Sequence, residues 1–268
     1  MKILTLMENT TGSTHAKAEH GLCLYIETKK HKILADTGQF DLTWENAALL
    51  GVDLTQIDTV FISHGHYDHT GGLGGFSKIN SNADIYIQQS AAKAYYHGER
   101  YIGIDPSLLQ IPHLHLLKGS CIIDSELEIF SEITGRRYWP ESNLALSEAV
   151  NNKKIQDQFV HEQCLVIHQD NEYILISGCA HNGILNILDR FKEIYHQSPS
   201  MVISGFHMMK KTDYTEQEIS IIRDTAKELL SYPTIFYSGH CTGQQAFDLM
   251  KEIMGDQLRQ MHAGDAIL

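Results

Sequence analysis

Three histidines and an aspartate fall within six residues, in His64-Gly65-His66-Tyr67-Asp68-His69. Imidazole nitrogens with a carboxylate are donors for zinc or iron rather than for calcium or magnesium, which prefer all-oxygen sites. The spacing is too tight for one tetrahedral ion, because alternate side chains of an extended loop diverge. His64 and His66 are therefore expected to point to one ion, and Asp68 and His69 to turn to a second. Gly65, with Gly71 and Gly72 just downstream, lets the backbone fold close to such ions. A solvated His-rich loop is the plain alternative, but the apolar run Thr59-Val60-Phe61-Ile62 leads straight into the cluster.

Three further apolar runs end in the same way. Ile174-Leu175-Ile176-Ser177 leads into Gly178-Cys179-Ala180-His181, Val202-Ile203-Ser204 into Gly205-Phe206-His207, and Ile235-Phe236-Tyr237-Ser238 into Gly239-His240. A lone histidine at a strand end is usually structural. Four in one repeated context point to a shared site, because ligands of open α/β sheets bind beyond the carboxyl ends of the strands.

The elements that must carry these loops can be placed from pattern. Residues 3–7, 22–27 and 31–35 read as strands, with a turn at 28–30 between the last two. Residues 42–50 have helical spacing and stop at Gly51, and 59–62 and 84–87 read as strands. A helix is expected over 90–97, whereas 98–158 mixes short strands and irregular loops. Residues 164–168 and 173–176 form a hairpin around Asp170-Asn171. Helical stripes run through 184–194, 219–229 and 246–253, separated by strands at 201–203 and 235–237. Strands alternating with helices, plus hairpins, indicate a layered α/β fold with mixed sheets, and no linker or low-complexity tract divides 1–268 into more than one domain.

Composition narrows the function further. The chain of 268 residues carries 21 basic and 33 acidic residues, a formal net charge of −12, which argues against a nucleic-acid footprint. No apolar run approaches the ~20 residues of a bilayer span, and the start Met1-Lys2-Ile3-Leu4-Thr5 lacks a signal-peptide pattern. Five scattered cysteines without a Cys-x-x-Cys argue against a disulfide scaffold and for a reducing cytoplasm. Sixteen histidines against five prolines agree with metal chemistry.

The run His-x-His-x-Asp-His after a buried strand, continuing Thr70-Gly71-Gly72, resembles the signature of the metallo-β-lactamase superfamily. Upstream, Leu34-Ala35-Asp36-Thr37-Gly38 looks like that superfamily's first motif, a strand ending in Asp-Thr-Gly that supports the metal loop. Ala18-Glu19-His20-Gly21-Leu22, the 178–184 segment, Gly205-Phe206-His207-Met208 and Gly239-His240-Cys241-Thr242-Gly243 are similar to one branch, that of dihydropterin-ribofuranosylaminobenzene-phosphate synthase. The resemblance implies an αββα four-layer sandwich with two divalent metal ions at one edge, zinc first, with iron or manganese as alternatives. It implies His64 and His66 for the first ion, and Asp68, His69 and His240 for the second. Two departures follow. The usual Gly-Asp pair is replaced by Gly178-Cys179, and the separate Gly-His-x-x-Gly-His motif is missing. His181 is the preferred substitute on the first ion and His161 the runner-up, while Cys179 could ligate as thiolate.

On this reading the chain is a metal-dependent hydrolase that uses a metal-bound hydroxide on a small ester, lactone or phosphoester. Asp68 would orient the water and pass its proton on, with His207 and His20 binding the small-molecule substrate. The alternative is the branch's pterin transfer reaction, for which Tyr95, Tyr96, Arg100, Tyr101, Arg136, Arg137, Tyr138 and Trp139 could supply contacts. A flavodiiron redox protein would need a flavin domain and an extra carboxylate, and a metal-free sensor would not need an intact 64–69 loop. Nothing in the sequence sets the oligomeric state.

Overall fold

The structure, a computed structural model, describes residues 1–12, 15–151 and 153–268. Two mixed sheets lie face to face. The first has six strands in the order Lys2–Met7, Cys23–Glu27, Lys32–Ala35, Thr59–Phe61, Asp84–Gln88 and Leu114–Leu117. Its first three strands are antiparallel and the remainder run parallel to Lys32–Ala35. The second sheet has seven strands in the order Leu258–Gln260, Ile235–Ser238, Met201–Ser204, Glu172–Ser177, Cys164–Gln169, Leu127–Phe130 and Cys121–Ile122.

Strand alternation produces the layers. Along Cys164–Gln169, Leu165 and Ile167 face the other sheet, joining Ile33, Ala35, Phe61, Ile176 and Ile203 in a core between the sheets. Cys164 and Val166 point the other way, onto a second core with the helices Ile184–Tyr195, Glu216–Leu230 and Gln244–Met254. Leu34, Val60 and Ile62 likewise turn outward to Trp44 and Ala47 of Leu42–Leu49 and to Leu73 and Phe76 of Leu73–Ile79. Every central strand is apolar on both faces because both faces are covered. The result is the αββα sandwich expected. Gly51, at φ +70 and with open space where a side chain would project, ends the first helix. Thr215 and Glu218 close a capping box on Glu216–Leu230. Among the described residues no helix is long and apolar enough to cross a membrane.

The expected helix over 90–97 is absent. A short 3-10 turn, Gln89–Ala92, is followed by the strand Tyr95–His97, which pairs with Leu146–Val150 in a small four-stranded sheet. Two consecutive tyrosines favour the pleated surface, and the wholly buried Tyr95 packs with Ile102, Leu146 and Phe159 in a satellite core.

Parallel pairing puts the histidine loops on one edge. Glu172–Ser177, Met201–Ser204 and Ile235–Ser238 run the same way, so the loops after them leave from the same end. There the sheets close on each other. A Cβ on Gly178 would lie 2.1 Å from Ser63 Oγ and 3.0 Å from Asp36 Oδ2. Gly178→Ala is therefore expected to destabilise the fold by about 1–3 kcal/mol through overpacking, read as a lowered midpoint in urea unfolding.

Candidate metal centre

His64, His66, Asp68, His69, Cys179, His181 and His240 gather at this edge, all buried. The second half of the 64–69 cluster is a short helix, Tyr67–Thr70, rather than an extended loop, and this turn carries Asp68 and His69 away from His64 and His66. His64 Nε2 lies 3.3 Å from His181 Nε2, and the His66 ring sits 4.6 and 4.8 Å from those two rings. His69 Nε2 lies 3.1 Å from His240 Nε2, and Asp68 Oδ2 is 3.3 Å from His240 Nε2 and 3.7 Å from His69 Nε2. Cys179 Sγ stands between the groups, 3.2 Å from His69 Nε2 and within ligand range of His64 and His181. The chain turns between Cys179 and His181 because Ala180 adopts φ +52.

The surroundings fix which nitrogen of each ring carries the proton. Ser63 Oγ donates its single proton to Asp36 Oδ2 at 2.8 Å, so it accepts from His64 Nδ1, also at 2.8 Å. His181 Nδ1 faces Asn143 Oδ1 at 3.1 Å, and that amide is oriented by its own donation to the His181 carbonyl. His69 Nδ1 donates to Asp36 Oδ2 at 2.6 Å. His240 Nδ1 meets Asn9 Oδ1 at 3.0 Å, with the Asn9 amide nitrogen donating to the His240 carbonyl. Each Nδ1 is a donor and each neutral ring turns an Nε2 lone pair inward, the arrangement that outer partners impose on metal-binding histidines.

The charge states sharpen this picture. Burial first, then the neighbouring imidazoles, hold His64 and His181 well below the ordinary histidine value. The two are neutral, so two lone pairs face each other at 3.3 Å with no proton between them. Burial would also lower His69, but the Asp36 and Asp68 carboxylates overcome it and raise the ring to about 9. A positive charge belongs there, whether a proton or a metal ion. Burial lowers His66 to about 3, and its Nε2 is buried with no hydrogen-bond partner. Burial would raise Asp68, but the charge on His69 and the close His20 and His240 rings hold it well below the usual carboxylate range. These donors fit divalent cations of the zinc and iron type: imidazole, carboxylate and a potential thiolate around a dry, preformed site.

Two further histidines border these groups in possible ligand clusters of their own, His161 with His66 and Asp157, and His20 with Asp68 and His240. His161 is occupied on both nitrogens: Nδ1 accepts from Gly65 N at 3.0 Å, and Nε2 meets Asp157 Oδ2 at 3.1 Å. It steadies the loop from behind. His20, its side chain 41% exposed, stacks on His240 at the mouth and reaches Asp68 Oδ2 at 3.3 Å. The His207 ring lies 4.0 Å from that of His181. The aromatic and basic set is dispersed. Tyr95 is core, and Arg137 pairs with Asp189 and Glu228. Arg136 bonds Asn182 and the Gln158 carbonyl.

Several supporting residues carry no local sequence signal. Glu8 accepts from the backbone N–H of His240. Glu162 accepts from the N–H groups of His181 and Asn182 at 2.6 and 2.8 Å. Asn9 and Asn143 set two of the tautomers. Each makes its contact across a long stretch of chain.

Comparison with known proteins agrees with this geometry. The model of the metallo-beta-lactamase superfamily matches residues 16–140. A solved structure described as Tm1679, a metal-dependent hydrolase of the beta-lactamase superfamily, superposes with a TM-score of 0.82 at 28% identity, covering 100% of this chain and 98% of that one. The fold is also that of the metallo-beta-lactamase fold protein YhfI from Bacillus subtilis, with a TM-score of 0.58 at 12% identity over 99% and 98% of the two chains. The chain is thus a metallo-β-lactamase-fold protein. Its likeness to the synthase branch spans its whole length: 7,8-dihydropterin-6-methyl-4-(beta-D-ribofuranosyl)-aminobenzene-5'-phosphate synthase of Methanocaldococcus jannaschii is 28% identical over all of this chain and 96% of that protein.

Asp36 orients one ring of each group. Asp36→Asn should therefore weaken divalent-metal affinity by about 10–100-fold, measured by zinc titration against a competing chelator, with far-UV circular dichroism unchanged.

Proposed function

We propose that this chain is a metal-dependent hydrolase of a small ester, lactone or phosphoester. His64, His66 and His181 would hold one divalent ion, and Asp68, His69 and His240 the other, with zinc the first choice and iron or manganese as alternatives. When bound, such ions polarise a carbonyl or phosphoryl oxygen and make water a nucleophile near neutral pH. The observation that carries the reading is the pair of neutral, unprotonated Nε2 atoms of His64 and His181 facing each other at 3.3 Å. Two such lone pairs repel unless a cation sits between or beside them.

The chain's own groups supply the remaining chemistry. Asp68 is held ionised and stands at the mouth beside His20. It can take a proton from an attacking water and return it to the leaving oxygen. His20 and His207 flank the approach and are positioned to orient a small-molecule substrate. Imidazole ligates without first losing a proton, whereas burial, with Cys241 beside it, keeps the Cys179 thiol well above its usual value until a cation lowers it.

A second reading, synthesis of a pterin-linked ribosyl-aminobenzene phosphate, is favoured by the full-length likeness to the Methanocaldococcus jannaschii enzyme. Zinc-loaded protein assayed on aryl esters, lactones and phosphodiesters, and separately on a dihydropterin bearing a leaving group on its 6-methyl carbon together with an aminobenzene ribosyl phosphate, distinguishes the two. Turnover on the first panel alone supports hydrolysis; condensation alone overturns it.

Asp68→Asn should lower turnover at least ~10²-fold, at the lower end of what a positioned proton carrier contributes, while the fold survives. Activity within a fewfold of wild type would remove Asp68 from this role. His181→Ala should lose about one equivalent of metal and nearly all activity, whereas Cys179→Ser should lose far less of either. Metal analysis by mass spectrometry reads both.

A further inference from the structure

Two imidazole nitrogens stand 3.3 Å from Asp68 Oδ2: His240 Nε2 and, from the solvent side, His20 Nε2. The first spacing is not a hydrogen bond, because His240 carries its proton on Nδ1, toward Asn9. The second is long for one. A hydrogen bond from an imidazole to a carboxylate runs at about 2.7–2.9 Å, and His69 Nδ1 meets Asp36 Oδ2 at 2.6 Å in this same site. Two donors on one tetrahedral zinc ion, each ~2.0–2.1 Å from it, stand about 3.3–3.4 Å apart. Both nitrogens thus lie from Asp68 as neighbouring ligands of one ion lie from each other. The ligand atoms of His20, Asp68 and His240 all fall within 4.8 Å of one another.

The backbone beside His20 is tied to the same loops. Leu22 N donates to the Asp68 carbonyl at 3.3 Å, and Gly21 N to Asn9 Oδ1 at 3.3 Å. That Asn9 oxygen also accepts from His240 Nδ1, so one amide fixes a tautomer and anchors the chain next to His20. A Cβ at position 21 would come within 2.9 Å of the Asp68 carbonyl oxygen, an approach that glycine alone allows. The His20 ring stacks on His240, with centroids 5.2 Å apart and planes inclined by 25°.

Burial separates His20 from the other three. The His69 and His240 side chains are wholly buried and that of Asp68 nearly so, whereas His20 is partly in solvent. A ring at the mouth can turn away; rings packed against the core cannot. Three protein ligands and one replaceable position are what a catalytic zinc-type centre requires.

We propose that His20 is a fourth, displaceable ligand of the ion held by Asp68, His69 and His240. It closes that ion's shell in the absence of substrate, and an oxygen of the substrate takes its place. The freed ring then lies at the mouth, where it can orient the same substrate. The proposal rests on the assignment of those three residues to a metal ion, and on no particular reaction there.

The test uses the full chain, cobalt(II) as a zinc substitute whose visible absorption reports its ligands, and inorganic phosphate as the oxygen donor. Cobalt is titrated against a competing chelator into wild type and into His20→Phe, which keeps a ring on His240 but has no nitrogen. His20→Phe should bind one of its two equivalents as wild type does and the other at least tenfold more weakly. The bands of that weaker equivalent should shift, as water replaces an imidazole. Saturating phosphate should bring the two spectra together, because it fills the position that His20 leaves. Two equivalents bound equally by both proteins with the same spectra would overturn the assignment, since stacking survives in the phenylalanine variant. A spectral difference that persists in saturating phosphate would overturn the displacement. A wild type that takes up no second equivalent would overturn the two-ion reading and this proposal with it. Failure to hydrolyse any substrate would leave the coordination result standing.

Discussion

The buried carboxylate of Asp36 is the constraint on which the site depends. It accepts from Ser63 N, Ser63 Oγ and His69 Nδ1, all within 2.8 Å, and so fixes one imidazole directly and another through Ser63. Both metal-facing groups therefore take their orientation from one residue at the end of the strand Lys32–Ala35. Asp36 adopts φ +60, a left-handed conformation that is uncommon outside glycine. The backbone bond from Asp36 N to the Phe61 carbonyl holds it there. The glycine at 178 completes the arrangement from the opposite sheet, since nothing larger fits against Ser63 and Asp36.

From that hub the chemistry follows by proton counting. Asp36, Ser63, Asn9 and Asn143 are acceptors at their points of contact, so four rings present Nε2 inward. An apolar core between the sheets keeps water out of the base of the site, which makes unpaired lone pairs costly and a cation favourable. The fold supplies convergence and the polar partners supply the tautomer. Neither alone would make a metal site.

The convergence was legible from residues because it is periodic: four apolar runs followed by serine or glycine and histidine must leave parallel strands at one edge. The two-sided apolar strands made the layers legible for the same reason. Asp36 could be noticed only through the resemblance of residues 34–38 to a known motif. Asn9, Glu8, Asn143 and Glu162 were not legible, because each acts through a contact fixed by the tertiary fold; Glu8 and His240 are separated by 232 positions. The helix expected at 90–97 failed where a tertiary demand overrode local spacing, as Tyr95 was needed to fill a satellite core and the chain straightened to pair with Leu146–Val150. His181 was legible as the preferred ligand and Cys179 as its rival; the turn at Ala180 brings both to the site.

The central claim is that the inward lone pairs of His64 and His181 exist to hold a cation. A crystal structure of zinc-soaked protein, with anomalous diffraction recorded on both sides of the zinc edge, tests it directly. The account predicts a zinc peak about 2.0–2.1 Å from both Nε2 atoms, the usual zinc–imidazole distance, and a second peak beside Asp68, His69 and His240. An absence of anomalous density between His64 and His181, with the two rings hydrogen-bonded to each other through a shared proton, would contradict it.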